Sequence, residues 1–451
     1  MSGGTFDPLA GKTLPGTYIN FESTRRDAIP ISERGIVLLP LLNHSYGPEK
    51  THITLTSASP DAEMARLGYS VYDPNPSMLL IREAFKNAST VIVYIPAEGK
   101  KATLTSGGVT GTAKYGGSRG NDLYFSIVDN PVGGFDVAIH LVNDVVAEYT
   151  GITTADELIA LDNPWITFTG AGNLSAVAGA KLAGGEDGVP SNADITEFLD
   201  KSDNIRWNTL AFPVSPSGED GDSVPALLEA VKTKITYLRD GTGTYRAAVV
   251  SGLDADYEGI INVTNGVKLS DGTVITPAQA TAWVAGVDAA ARNTKSNTYE
   301  RYDGAADIVG VKSKEAAEAA VKRGEFFFTF DEEGYVVVQY DINSLTTFKK
   351  PKDETYRKNR VRRVFDTFGE SVKLNFPPNR FDNSPTGWDV MEGLGRALLK
   401  QFEQAGAIKN VDYDNDFKVD RTGSTGDVAI ISVGLEPVDS AEKLYFTIKT
   451  R

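Results

Sequence analysis

Ile81-Arg-Glu-Ala-Phe-Lys-Asn-Ala-Ser-Thr-Val-Ile-Val-Tyr-Ile95 carries two structural signals in one short stretch. Its first part continues a helix that reads from Met78 to Asn87. Its second part, Val91–Ile95, is an unbroken apolar run of strand length, stopped by Pro96. Ile36-Val-Leu-Leu39 is a second such run upstream. Unbroken apolar strands alternating with helices belong to a sheet covered on both faces, so this region predicts an α/β core.

Working outward, residues 1–27 are rich in Gly, Pro, Thr and Ser and read as an extended arm. Within it Thr17-Tyr-Ile-Asn-Phe21 alternates as one strand with no local partner. Downstream of Ala97, residues 98–183 are dominated by Gly, Thr, Ser and β-forming side chains. Leu123–Val128, Phe135–Val142 and Trp165–Phe168 are short strands between polar turns, which predict an inserted β-sandwich or small barrel. The α/β pattern returns after Gly184-Gly-Glu-Asp-Gly188. Ser223 and Pro225 open a helix with Leu227, Leu228, Val231, Ile235 and Leu238 on one stripe, closed by Gly241. Ala247–Val250 is a buried strand, Ser313 to Gly324 a capped helix, and Phe326–Val338 a hairpin.

Residues 345–441 form a third, α+β unit. Val361, Val364, Phe365 and Phe368 make one helical stripe, and Met391, Leu394, Leu398 and Phe402 another. Phe417–Val419, Val428–Val433 and Lys443–Lys449 are strand candidates. The last alternates, with Leu444, Phe446 and Ile448 on one face and Lys443, Tyr445, Thr447 and Lys449 on the other, and reads as a C-terminal arm over 442–451. The expected order is therefore arm 1–27, core 28–97, inserted β-rich domain 98–183, core 184–344, C-terminal domain 345–441 and arm 442–451.

Composition narrows the chemistry. The chain has 451 residues, no cysteine and three histidines, so disulfides, thiol nucleophiles and imidazole-rich metal sites are not expected. Neither a secretory leader nor a spanning segment is read, which predicts a soluble protein made in the cytoplasm. The net charge of −15 argues against nucleic acid as a partner. From Leu345 to Arg451, however, 18 basic side chains face 16 acidic ones, so this end differs electrically from the rest.

No catalytic constellation can be assembled. Gly11-Lys12-Thr13 lacks the remaining glycines of a phosphate loop, and Gly241-Thr-Gly-Thr-Tyr-Arg246 reads as a helix stop. Asp412, Asp414, Asp416 and Asp420 match part of a calcium loop, but Phe417 and Gly423 stand where glycine and glutamate are needed, leaving at most a weak cation site at Asp412–Asp416. His44 follows a strand without a nucleophile elbow. Catalytic, cofactor and metal residues are thus expected to be none. The run Lys349–Arg363 carries eight basic and two acidic side chains, and reads either as a solvated helix face or as a patch for an acidic partner.

Several segments resemble the tail sheath proteins of contractile bacteriophages and phage-tail-like particles, especially of Gram-positive hosts. They are Leu14–Phe21, Ile81–Ile95, Lys114-Tyr-Gly-Gly-Ser-Arg-Gly-Asn-Asp122, Gly184–Gly188, Tyr302–Ala305, Val338–Phe348, Lys358–Asp366 and Pro437–Tyr445. Phe376–Asn383 and the insert 265–276 are less familiar. The resemblance implies a non-enzymatic subunit of a helical homo-polymer of stacked hexameric rings, located in a virion or phage-like tail. It implies an inner tail tube protein, a baseplate and a tail terminator as partners, with no nucleic acid and no membrane insertion. Thr17, Tyr18, Ile19, Asn20 and Phe21, and Lys443, Leu444, Tyr445, Phe446, Thr447 and Ile448, would be intersubunit strands. Lys358, Arg360, Arg362 and Arg363 would face the tube. Two rivals are an exported surface or adhesin-type protein, which needs an export signal, and an α/β hydrolase, which needs a nucleophile and base.

Overall fold

A computed structural model describes residues 34–215 and 224–450, with the short strands Gly3–Gly4 and Thr17–Tyr18. Those two strands pair in parallel. Ile19, Asn20 and Phe21, the Gly11–Thr13 tripeptide and Ser223 lie outside the described residues.

The two apolar runs that opened the argument lie side by side. Ile36–Pro40 and Thr90–Tyr94 are parallel neighbours in a seven-stranded sheet. Across it the strand order is Glu325–Phe326, Ile260–Val263, Ala247–Val250, Thr209–Ala211, Ile36–Pro40, Thr90–Tyr94 and His52–Thr56. All pairings are parallel except that of the edge strand His52–Thr56. That strand alternates between buried and exposed, as a sheet edge with one wet face does.

Helices cover both faces. Pro76–Phe85 and Pro277–Ala290 pack on one side with Val37, Leu39, Val91 and Val93. Asn192–Lys201 and Val224–Thr236 pack on the other with Leu38, Ile92 and Tyr94. Pro277–Ala290 is buried nearly all round. It begins at a capping box: Gln279 N donates to Thr276 Oγ1 (3.2 Å) and Thr276 N donates to Gln279 Oε1 (3.0 Å).

Between Tyr94 and Asn192 the chain leaves the core and builds the inserted β-sandwich. Its four-stranded sheet orders Asp144–Ile152, Phe135–Leu141, Leu123–Asp129 and Val177–Lys181; its three-stranded sheet orders Ile166–Gly170, Val109–Ala113 and Thr103–Ser106. Phe125, Ile127, Val137, Ile139 and Phe168 fill the space between.

Two glycine-rich motifs meet at the neck joining sandwich to core. Gly185 N donates to Asn121 Oδ1 (2.8 Å), Asn121 Nδ2 returns a bond to Gly185 O (2.9 Å), and Ser118 Oγ donates to Asp187 Oδ2 (2.7 Å). The backbones approach so closely that a Cβ on Gly116 would stand 1.8 Å from Gly99 O, and one on Gly188 2.2 Å from Glu98 O. Only glycine satisfies this approach. Lys114–Asp122 and Gly184–Gly188 are thus two halves of one junction.

The C-terminal α+β unit packs Asn359–Asn375 against Pro385–Gln404 through Val364, Phe368, Leu398 and Phe402, closed by Phe417. Phe417–Val419 and Ile431–Val433 form an antiparallel pair. Lys443–Thr450, expected as a strand of a neighbouring subunit, forms no strand within its own. An isolated strand has no ladder of its own, so the pattern alone could not produce one.

Candidate assembly surfaces and the arginine–aspartate junction

The basic run is divided: Lys349 and Lys350 are exposed, but its last three arginines are not. Arg360, Arg362 and Arg363 expose 8%, 1% and 0% of their surface. A helix face read as solvated is thus turned inward within the subunit, because acids distant in sequence meet it there. Asp288 lies near the end of the buried helix Pro277–Ala290. Its Oδ1 receives Arg362 Nη2 (2.5 Å) and Arg363 Nη1 (2.9 Å), and its Oδ2 receives Thr209 Oγ1 (2.8 Å). Arg363 Nη2 also donates to Asp341 Oδ2 (2.8 Å). Arg239 clasps Asp366 with both terminal nitrogens, at 2.7 and 3.1 Å. Arg34, the first residue of the described core, donates to Asp288 O (3.2 Å).

Burial alone would raise the Asp288 pKa, but Arg362, Arg363 and Arg34 outweigh it and hold the carboxyl well below the usual carboxylate range. Burial lowers Arg34 to about 10, against the pull of Asp288. The network ties the first helix of the C-terminal unit to the α/β core through charges on both sides. Sequence reading missed Asp288, although it was detectable as the lone acid in the apolar run Ala278–Ala291.

Lys358 and Arg360 have a different task. Lys358 Nζ pairs with Glu442 Oε2 and lies 3.5 Å from Asp439 Oδ2. Arg360 Nη1 donates to Ser440 Oγ (2.6 Å). Both hold the root of the C-terminal segment. Upstream of that root, Lys409 N donates to Glu436 O and Val438 N to Ala407 O, each at 2.9 Å. Beyond it Leu444, Tyr445, Phe446 and Ile448 are 67%, 91%, 82% and 92% exposed.

Next to that root lies a groove of about 740 Å³. Tyr356, Val361 and Phe365 line one part and Val433, Leu435 and Pro437 another. The groove borders Ile431–Val433, which belongs to a sheet of only two strands among the described residues.

The histidines do not converge. His44 is buried beside Tyr69, His52 lies against Tyr94, and His140 stacks on Tyr124. Burial pushes His44 down to about 4. Asp412 Oδ1 and Asp416 Oδ2 accept backbone N–H groups of their own turn, from Asp414 and Asp412. Among the described residues no group of three His, Asp or Glu side chains is arranged to hold a metal ion. No described helix is long and apolar enough to cross a membrane.

Three family models match in tandem. The phage tail sheath protein beta-sandwich domain covers residues 97–187, the central domain 188–344 and the C-terminal domain 351–451. The chain is 36% identical to the phage-like element PBSX protein XkdK of Bacillus subtilis over the whole of both chains. It matches the crystal structure of a sheath tail protein from Desulfitobacterium hafniense with a TM-score of 0.81 and 35% identity, covering 96% of this chain and 99% of that one. The helical sheath of the anti-feeding prophage, solved in its contracted state, shares the fold alone. Its TM-score is 0.56 at 14% identity, covering 98% of this chain and 100% of the other.

Proposed function

The chain belongs to the phage tail sheath protein family, and from that membership we propose that it polymerises helically around an inner tube by exchanging terminal strands. The observation that carries this reading is the C-terminal segment. Four large apolar or aromatic side chains from Leu444 to Ile448 bury almost nothing in their own subunit, although the chain before them is well anchored. Soluble chains seldom leave such a run uncovered unless a partner covers it.

The proposed seat is the open edge at Ile431–Val433 of a neighbouring copy, with Leu444, Phe446 and Ile448 entering the groove lined by Tyr356, Phe365 and Leu435. Strand addition is nearly sequence-independent, and each new backbone hydrogen bond contributes about 0.5–1.5 kcal/mol net. Each buried apolar side chain adds roughly 1.5–3 kcal/mol. Ordering the arm opposes both terms. The N-terminal arm, read in the sequence as alternating over Thr17–Phe21, takes the corresponding part at the other end in this reading.

In this reading contraction keeps the arm joints while whole subunits rotate and repack side to side. In this reading the polymer is a stack of hexameric rings that meets a baseplate at one end and a terminator at the other. The central sheet, its inserted sandwich and the C-terminal unit move as one body, because the glycine neck and the arginine–aspartate junction leave few free joints.

Electron microscopy of the purified chain tests the reading. The full chain forms long tubes, and a chain lacking residues 443–451 stays as separate particles at the same concentration. Long tubes from the truncated chain overturn it.

A further inference from the structure

The boundary between bonded and free chain falls at one side chain. Glu442 is only 8% exposed, and both of its carboxylate oxygens are occupied. Oε1 accepts from Ser296 Oγ (2.7 Å) and from Thr298 Oγ1 (2.6 Å), while Oε2 pairs with Lys358. These partners come from different places. Ser296 and Thr298 lie in the core loop after the buried helix, and Lys358 directly precedes the helix Asn359–Asn375. Lys358 Nζ also sits 4.4 Å from the centre of the Tyr340 ring, so its position is fixed independently of Glu442. The arm is therefore pinned at the seam of two units, one residue before its exposed stretch.

We infer that Glu442 is a positioning residue for polymerisation: its clamp on Ser296, Thr298 and Lys358 fixes where and in what direction the C-terminal arm leaves the subunit. This inference rests on the strand-exchange reading and adds the element that makes it efficient. An arm pinned at Glu442 has Lys443–Thr450 to search with. Releasing the clamp frees the chain back to Ser440, which Arg360 still holds, lengthening the searching segment by about a quarter. Effective concentration at the acceptor falls roughly as the −3/2 power of length, which is about a 1.4-fold loss per joint before any loss of direction. Each subunit donates one such arm, so the critical concentration for assembly rises by about 1.4-fold or more, the excess coming from the lost direction. Glu442 is not among the residues lining the proposed acceptor groove.

The experiment compares four chains: wild type, Glu442→Ala, the double variant Ser296→Ala with Thr298→Val, and a truncation lacking residues 443–451. Three quantities are read: critical concentration by sedimentation, amide hydrogen exchange over residues 434–442 in the unassembled subunit, and the subunit's thermal midpoint. The inference expects both substituted chains to exchange faster at 434–442 and to need at least about 1.4 times the concentration to assemble. It expects their thermal midpoints to stay near wild type, and the truncated chain not to assemble. Wild-type assembly by Glu442→Ala, beside a truncated chain that fails, overturns the clamp and leaves strand exchange standing. Normal assembly of the truncated chain overturns strand exchange itself, and the clamp with it. If assembly falls in both substituted chains only in step with their own unfolding, the positioning role is refuted in favour of a purely structural one.

Discussion

Replacing Asp288 by Asn tests the arginine–aspartate junction directly. Asparagine keeps the volume and one acceptor but removes the charge that Arg34, Arg362 and Arg363 share. Arg363 retains Asp341 and Arg362 retains Asp366 at 3.4 Å, while Arg34 loses its 3.8 Å carboxylate neighbour and keeps its bond to the Asp288 backbone oxygen. Removing one member of a buried ionic cluster costs about 3–5 kcal/mol, because the remaining charges stay buried and uncompensated. With a urea slope of about 3 kcal/mol/M or more for a chain of this size, the midpoint falls by about 1 M. The assay is urea unfolding of the unassembled subunit, repeated over pH. Asp288 has a depressed folded-state pKa, so its contribution is complete above the unfolded value of about 4 and declines as pH falls towards the folded one. The gap between wild type and variant is therefore widest at neutral pH and narrows in acid. A loss below about 1 kcal/mol at pH 7, or a gap that does not narrow in acid, refutes the idea that this carboxylate holds the two units together.

Substituting Leu444 and Phe446 together by Asp leaves the subunit's stability within about 0.5 kcal/mol, since both are exposed, but abolishes sedimentable polymer. Gly116→Ala forces a Cβ into Gly99 O and destabilises the neck by about 2 kcal/mol or more, read as earlier proteolysis between core and sandwich. His44 is buried neutral with its pKa near 4, below the ordinary 6.5, so it supports the fold above that ordinary value and its support is lost as pH falls. Between pH 7 and 4.5 a His44→Gln chain should lose roughly 2–3 kcal/mol less stability than wild type in urea titrations. Deleting residues 1–22 should prevent long assemblies, and tubes of normal length from that chain would argue against the N-terminal strand.

The α/β core, the inserted sandwich and the α+β end were legible because each rests on a local rule. Val91–Ile95 and Ile36–Leu39 can only be interior strands, and the Thr- and Gly-rich stretch after Ala97 can only pair through short strands with tight turns. The helix Pro277–Ala290 was passed over, although Thr276, Pro277 and Gln279 mark its start. It is apolar on every side, so periodicity has no contrast to report. The strand pattern at Lys443–Lys449 is legible from alternation, but whether it pairs depends on a second copy, because the segment pairs with no edge in its own subunit.

Sequence by itself determined the order of the units, the absence of thiol chemistry and the apolar alternation of the C-terminal arm, since each depends on residue type and spacing. Only the tertiary structure decided what the basic run does. Charge along a chain is read as facing water, but Asp288 and Asp341 approach Arg363 from 75 and 22 residues away, and Glu442 meets Lys358 from 84 residues away. Pairing across such distances depends on where packed helices place their side chains, which no local pattern encodes.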